Sequence, residues 1–259
     1  LLTSVFLANL VLVLSGPRTI ALLQMIVKRP QCLVNIFLVF LRLIINLRVP
    51  NNVSFTDIVF SPVLINRAIS KFKNGSSSGP DGIPSSFLKK FKNVLSGPLC
   101  ILFQYLFELN ELPAVWKRAN ITPVFKKGLS SDVLNYRPIS LTSSFCKLFE
   151  RIVHQQLLQY LHQHMLITRH QHGFLARHST CSQLLECIND WTLALRNHHA
   201  VDVVYFDFAK AFDTVSHVKL LQKLRCYGIT GSVFNVLKIF SVVVANKLSC
   251  LMALLILKL

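Results

Sequence analysis

The carboxylate of Asp207 follows directly on the run Val201–Phe206, whose β-branched and aromatic residues predict a buried strand. The helical spacing of apolar residues from Val215 onward predicts that the chain turns into a helix shortly afterwards. A strand end holds a side chain rigidly, and hard cations such as Mg²⁺ bind carboxylate oxygens. Asp207 is therefore a candidate metal ligand. The alternative interpretation is an Asp that ends a strand and caps a turn.

A second group of chemically capable residues is basic and comprises Lys126, Lys127 and Arg137. The segments Ile121–Phe125 and Arg137–Leu141 predict two short strands joined by a hairpin that contains both lysines. Lysine offers a point charge and arginine a bidentate fork to phosphate oxygens, so the hairpin has the form of a triphosphate clamp. Basic residues that only face solvent would give the same pattern.

The charge balance of the whole chain is strongly basic, with 28 Lys and Arg residues against 11 Asp and Glu residues and a formal net charge of +17. This balance indicates a polyanionic partner, either nucleic acid or an acidic membrane surface. A basic protein without such a partner is the other interpretation. Seven cysteines without a zinc-type spacing indicate reduced thiols in an intracellular protein, nuclear or cytoplasmic.

Histidines are concentrated between His154 and His178, where six occur. A metal site is one interpretation. Solvated or phosphate-facing histidines are the favoured one, because the spacing brings no Cys or acid to partner them.

The two ends of the chain, residues 1–50 and 241–259, are far more apolar than the rest. Their apolar runs are shorter than the ~20 residues that span a bilayer as a helix. For residues 1–50 three interpretations stay open: a membrane anchor, a buried helical hairpin, or translated sequence that was not part of the ancestral protein. The tail likewise resembles a substitute for a different continuation.

The elements that must position the candidate residues are mostly helical. Apolar periodicity predicts an amphipathic helix over Phe55–Phe72 and a long one over Ser143–Met165. Two further helices are expected at about 85–95 and 98–109, separated at Gly97-Pro98. Another begins after Thr180 or Ser179, either of which can cap it, and runs to about Leu195.

Four segments together resemble the reverse transcriptases of non-LTR (LINE-type) retrotransposons, over about residues 60–240. The segment around Asp207, VDVVYFDFAKAFDTVSH, resembles the first catalytic motif of that family. The others occur upstream in the family's order: SGPDGIP at 78–84, a block from Trp116 to Gly128 followed by NYRPISL at 135–141, and a Gln-x-Gly-Phe…Ser-Thr pattern at 171–180.

This resemblance implies an α+β fold: a partial right-hand polymerase, with fingers and the first half of a ferredoxin-like palm, and apolar helical ends. The implied domains are fingers at 51–165 and a partial palm at 166–240, between the atypical segments 1–50 and 241–259. The implied activity is RNA-directed DNA polymerisation by two-metal nucleotidyl transfer. Its cofactor would be Mg²⁺, and its partners an RNA template, a DNA primer and dNTPs.

The resemblance also assigns roles to individual residues. Asp207 would be catalytic and bind metal with the Phe208 backbone carbonyl, and Phe212 would lie under the sugar and exclude a 2′-hydroxyl. Arg137, helped by Lys126 or Lys127, would contact the nucleotide's phosphates. Template contacts would come from two loops: Gly79, Pro80 and Asp81, and Gln171, Gly173, Phe174 and Arg177.

The resemblance stops near residue 240, since no Asp or Glu follows Asp213. The family's template-grip motif and its pair of adjacent aspartates are expected there. The sequence therefore predicts a truncated domain that is inactive by itself and exposes an unpaired sheet edge. A non-catalytic nucleic-acid-binding relic and a membrane-associated protein remain as alternatives.

Overall fold

The computed structural model describes residues 10–14, 53–75, 77–168, 170–206 and 215–243. These residues fall into two compact units. The larger unit contains residues 54–160 and the described residues from 228 onward; the smaller unit contains residues 161–227 and residues 10–14. The predicted domain boundaries divide the chain by function and stay predictions.

The larger unit is a helical body that carries one β-hairpin. Its helices are α1 (Pro62–Ser70), α2 (Ser85–Lys90), α3 (Lys92–Leu109), the greater part of α4 (Ser144–Gln163) and α7 (Gly231–Val243). They enclose a cluster of aromatic rings whose centroids lie 5.3–6.2 Å apart. Burial of this cluster stabilises the unit. Its members are Phe60, Phe103, Phe107, Trp116, Phe149 and Phe240.

Helix α1 is shorter than the predicted helix over Phe55–Phe72. Ser61 caps it by accepting a hydrogen bond from the Leu64 N–H (3.3 Å), and Pro62 occupies its first turn. This is the arrangement that favours a helix start, so the segment before it stays extended. Phe55 pairs instead with Ile229 in a parallel β-bridge.

The predicted break at Gly97-Pro98 is wrong, because α3 runs through Pro98 and the break lies at Phe91. An interior proline costs about 3 kcal/mol. However, α3 buries Leu99, Phe103 and Phe107 along one face, and each fully buried apolar side chain contributes roughly 1.5–3 kcal/mol. Packing therefore outweighs the local preference.

The predicted hairpin is confirmed with longer strands, β2 (Ala119–Phe125) and β3 (Tyr136–Thr142), which pair antiparallel along their whole length. Most of its residues are exposed, so the hairpin is a two-stranded ribbon rather than part of a packed sheet. Helix α4 begins two residues after β3, close to the predicted start of the long helix.

The smaller unit contains a two-stranded sheet, β1 (Leu10–Leu14) with β4 (Asp202–Phe206), and the helices α5 (Thr180–Arg196) and α6 (His217–Cys226). Strand β4 is the predicted strand before Asp207. It pairs antiparallel with β1 along one edge, and the expectation of an unpaired sheet edge stays a prediction. Cys187 on α5 is buried against Trp191, Val201 and Val203.

The expectation of helical ends is wrong for residues 10–14. Alternating valines favour a strand, and the open edge of β4 provides the hydrogen-bonding partner. The other residues of 1–50 lie outside the described ranges. Within those ranges no helix is long and apolar enough to cross a membrane.

Candidate functional site

The basic residues of the β2–β3 hairpin stand at its tip. Arg137 lies on β3 opposite Val124 and is exposed, and Lys126 and Lys127 are exposed where β2 ends. Among the described residues, no carboxylate lies within ion-pair distance of any of the three, since the ion pairs there are those of His170 and His172. Their positive charge thus remains available to an anion from outside.

The tip loop between the strands is held by specific hydrogen bonds. The Lys126 N–H donates to the Asn135 carbonyl (2.8 Å), and the Asn135 side-chain amide donates to the Leu129 carbonyl (2.9 Å). The Tyr136 hydroxyl donates to the Ser130 carbonyl (2.9 Å). The loop therefore has a defined shape that fixes where its basic residues stand, as phosphate recognition requires.

Gly128 is required by this loop. Its φ is +93°, and a Cβ there would lie 2.6 Å from the Asn135 side-chain nitrogen. Any other residue would be strained and would displace the amide that closes the loop. The sequence indicated a glycine-containing hairpin, but it gave no signal for the roles of Asn135 and Tyr136.

The loop at 79–84, which contains the predicted template residues Gly79, Pro80 and Asp81, packs against the base of the same hairpin, and the contacts of these residues with a template stay predictions. Gly79 is buried, Pro80 is exposed, and the Asp81 carboxylate accepts hydrogen bonds from the Ser143 hydroxyl (2.5 Å) and the Ile83 N–H (3.2 Å). Ser143 was not identified from the sequence as a functional residue. The available signal was its position as a serine between a strand and a helix, where helix caps occur.

The second predicted template loop belongs to the smaller unit. Gln171 is buried and its amide donates to the Gly173 carbonyl (3.0 Å), so it shapes the loop. Phe174 and Arg177 are exposed and have positive φ values of 61° and 66°. Such conformations are uncommon for residues other than glycine, and the backbone at both positions departs from regular secondary structure. The predicted contacts of this loop with a template stay predictions.

Two of the clustered histidines share one carboxylate. His170 Nδ1 lies 2.5 Å from one Glu186 oxygen, and His172 Nε2 lies 2.7 Å from the other. Partial burial raises the pKa of the Glu186 carboxyl, but the hydrogen bonds with His172 and His170 outweigh it and leave the pKa below its usual value. The acidic partner that the sequence did not reveal comes from α5. It ties the loop at 170–178 to that helix.

No group of three or more His, Cys, Asp or Glu residues within the described ranges could hold a metal ion. Asp207 and Phe208, the predicted metal ligands, lie outside the described residues, as does Phe212. Strand β4 ends at Phe206, immediately before Asp207. The structure thus brings Lys126, Lys127 and Arg137 together on one hairpin, with Gly79, Pro80 and Asp81 at its base.

The amino-acid sequence of this chain is similar to those of known proteins. Residues 124–249 match the family model described as "Reverse transcriptase (RNA-dependent DNA polymerase)". The chain is 28% identical over 162 residues to the "RNA-directed DNA polymerase from mobile element jockey" of Drosophila melanogaster, a match that covers 62% of this chain and 18% of the relative. It is 27% identical over 167 residues to the fly's "Probable RNA-directed DNA polymerase from transposon X-element", covering 64% of this chain and 18% of the relative.

These matches support a reverse transcriptase domain, and the mixed helix–strand fold is consistent with part of one. The domain is of the kind found in non-LTR, LINE-type retrotransposons, which confirms the resemblance of the four sequence motifs. The chain spans less than a fifth of the length of these relatives. The partial right-hand polymerase with a ferredoxin-like palm is a finer description, and it stays a prediction.

Proposed function

We propose that this chain supplies the nucleotide-binding and template-binding part of an RNA-directed DNA polymerase. The proposal rests on the basic residues at the tip of the β2–β3 hairpin. There Lys126, Lys127 and Arg137 are exposed, lack acidic partners among the described residues and surround a loop of defined shape. A triphosphate is the anion that such a set of donors fits best, with Arg137 binding phosphate oxygens in a bidentate manner.

The proposal extends to magnesium through the chemistry of the predicted ligands. A carboxylate and a backbone carbonyl are hard oxygen donors, and Mg²⁺ in polymerase-type sites binds one or two carboxylates together with substrate phosphates. Asp207, which follows β4 in the sequence, and the Phe208 carbonyl would hold the ion. Bound Mg²⁺ would neutralise triphosphate charge during transfer. Phe212 would select deoxynucleotides by closing the space for a 2′-hydroxyl.

The nucleic-acid partner follows from the same family and from the charge of the chain. We propose that an RNA template paired with a DNA primer binds to this basic protein, and that Phe174 and Arg177 of the smaller unit contact the template. The net charge of +17 supports a polyanionic partner. We place the activity inside the cell, in the nucleus or the cytoplasm.

The proposal is tested by measuring the binding of a fluorescent RNA–DNA template–primer and its extension with Mg²⁺ and dNTPs. We expect tight binding without extension, because two-metal transfer needs carboxylates that clamp both ions and Asp207 is the one such residue assigned here. If the chain binds the template–primer no more tightly than a polyanion that is not a nucleic acid, the proposal is contradicted. Extension abolished by Asp207→Ala would show that this chain is sufficient for catalysis.

A further inference from the structure

The loop at 79–84 is a structural brace that rests on the point where β3 passes into α4. A turn closes the loop, with the Gly82 N–H donating to the Gly79 carbonyl (3.1 Å). The Asp81 carboxylate holds it from inside by accepting the Ile83 N–H. The loop therefore has a fixed shape before it meets any other element.

Two serine hydroxyls join this loop to the strand–helix junction. Ser143 is fully buried and donates to Asp81 Oδ2 (2.5 Å) while it accepts the Phe145 N–H (3.2 Å) at the start of α4. Ser144, 2% exposed, donates to the Ile83 carbonyl (3.0 Å). A hydrogen bond to a charged acceptor is worth more than a neutral one, so the Asp81–Ser143 bond is the stronger tie.

Gly79 brings the two backbones into direct contact. A Cβ at this position would lie 2.5 Å from the Ser143 nitrogen and from the Thr142 carbonyl carbon. Both of these are backbone atoms, which cannot move aside as a flexible side chain can. The brace thus contacts the last residue of β3 itself.

The direction of the hairpin depends on its base, because most of the ribbon is exposed and little else packs on it. Arg137 lies on β3, whose last residue, Thr142, directly precedes Ser143. A change in the direction of β3 at Thr142 would therefore move the Arg137 guanidinium.

We propose that Asp81 is a positioning residue for nucleotide binding: through Ser143 it sets the direction of β3 and so the place of Arg137. This inference rests on the proposed function, in which Arg137 binds the triphosphate. Asp81 then acts inside the protein, in contrast to a residue whose carboxylate faces the template.

The test is a double-mutant cycle read by the affinity of the full chain for a labelled dNTP in the presence of template–primer. We expect Asp81→Ala and Ser143→Ala each to weaken dNTP binding about tenfold. Asp81→Asn keeps the shape and the oxygen that accepts the Ile83 N–H, but it replaces the oxygen that accepts the Ser143 hydroxyl by an amide NH2, so we expect a smaller loss than for Asp81→Ala. In the Arg137→Ala background, Asp81→Ala should cause no further loss. Template–primer affinity should stay within about twofold throughout.

Additive losses of Asp81→Ala and Arg137→Ala, or a loss of template–primer affinity on Asp81→Ala, would overturn the inference. Failure of the wild-type chain to bind any dNTP would overturn the proposed function instead. In that case, amide hydrogen exchange still tests directly whether the loop at 79–84 holds the hairpin. Asp81→Ala should speed exchange in β2 and β3 relative to α5, and unchanged exchange would refute the structural role of Asp81 even if no nucleotide binds.

Discussion

Single residues in this protein show how neighbours change the chemistry of a side chain. Glu186 has a lowered pKa because two histidines hydrogen-bond it, whereas burial raises the pKa of Glu150 to about 7. The Cys146 thiol lies 3.6 Å from the Glu150 carboxyl and, with Lys147, offsets only part of that effect. The same type of side chain is thus a stabilising anion in one place and a costly one in another.

The raised pKa of Glu150 makes stability depend on pH. The folded state holds the proton more tightly than the unfolded state, so the contribution of this group to stability is fully present below pH ~4.5 and is lost as the pH rises towards 7. Glu150→Gln removes the ionisable group. We expect the variant to match the wild type in urea unfolding at pH ~4 and to exceed it by about 1–3 kcal/mol at pH ~8.

Glu111→Gln, on an exposed side chain of the same unit, is the matched control and should show no such pH-dependent gain. An equal effect of Glu150→Gln at both pH values would refute the assignment of the pH dependence to this carboxyl.

At the level of the element, the conformation of the tip loop of the β2–β3 hairpin depends on one glycine, Gly128. Gly128→Ala strains a backbone with φ +93° and pushes on the Asn135 amide, at a cost of about 1–3 kcal/mol. We expect faster amide exchange in the loop and weaker dNTP binding. Gly75→Ala is the control, because Gly75 also has a positive φ (74°) but nothing lies within 4 Å of its Cβ position. Equal losses of dNTP affinity in the two variants would contradict the role of the Asn135 contact.

The sequence predicted the elements that depend on local signals. The hairpin followed from its strand propensities and its Lys-Lys-Gly turn, and α5 has Ser179 as its cap, one of the two residues proposed. Elements decided by distant partners were missed. The path through Pro98 depends on the packing of α3, and the strand at residues 10–14 depends on β4. The pairing of Asp81 with Ser143 joins residues 62 positions apart, which no local pattern encodes.

Across the whole molecule, charge is the dominant property. A net charge of +17 with an exposed basic hairpin predicts binding of a template–primer that weakens steeply with salt. We expect a linear fall of log K with log salt concentration, and a slope that is smaller by about 1 in Arg177→Ala if that residue contacts a phosphate. Arg196→Ala, at the exposed end of α5, should leave the slope unchanged. Binding that does not respond to salt would contradict a phosphate-based interaction.

The most direct test of the central claim is a titration of labelled dNTP into the chain with template–primer and Mg²⁺, comparing wild type, Arg137→Ala and Arg196→Ala. Both variants remove one exposed arginine, so the net charge falls equally. If the tip of the β2–β3 hairpin binds the triphosphate, Arg137→Ala weakens dNTP binding by about tenfold or more, whereas Arg196→Ala leaves it unchanged. Equal affinities for both variants would contradict the assignment of the hairpin as the nucleotide clamp.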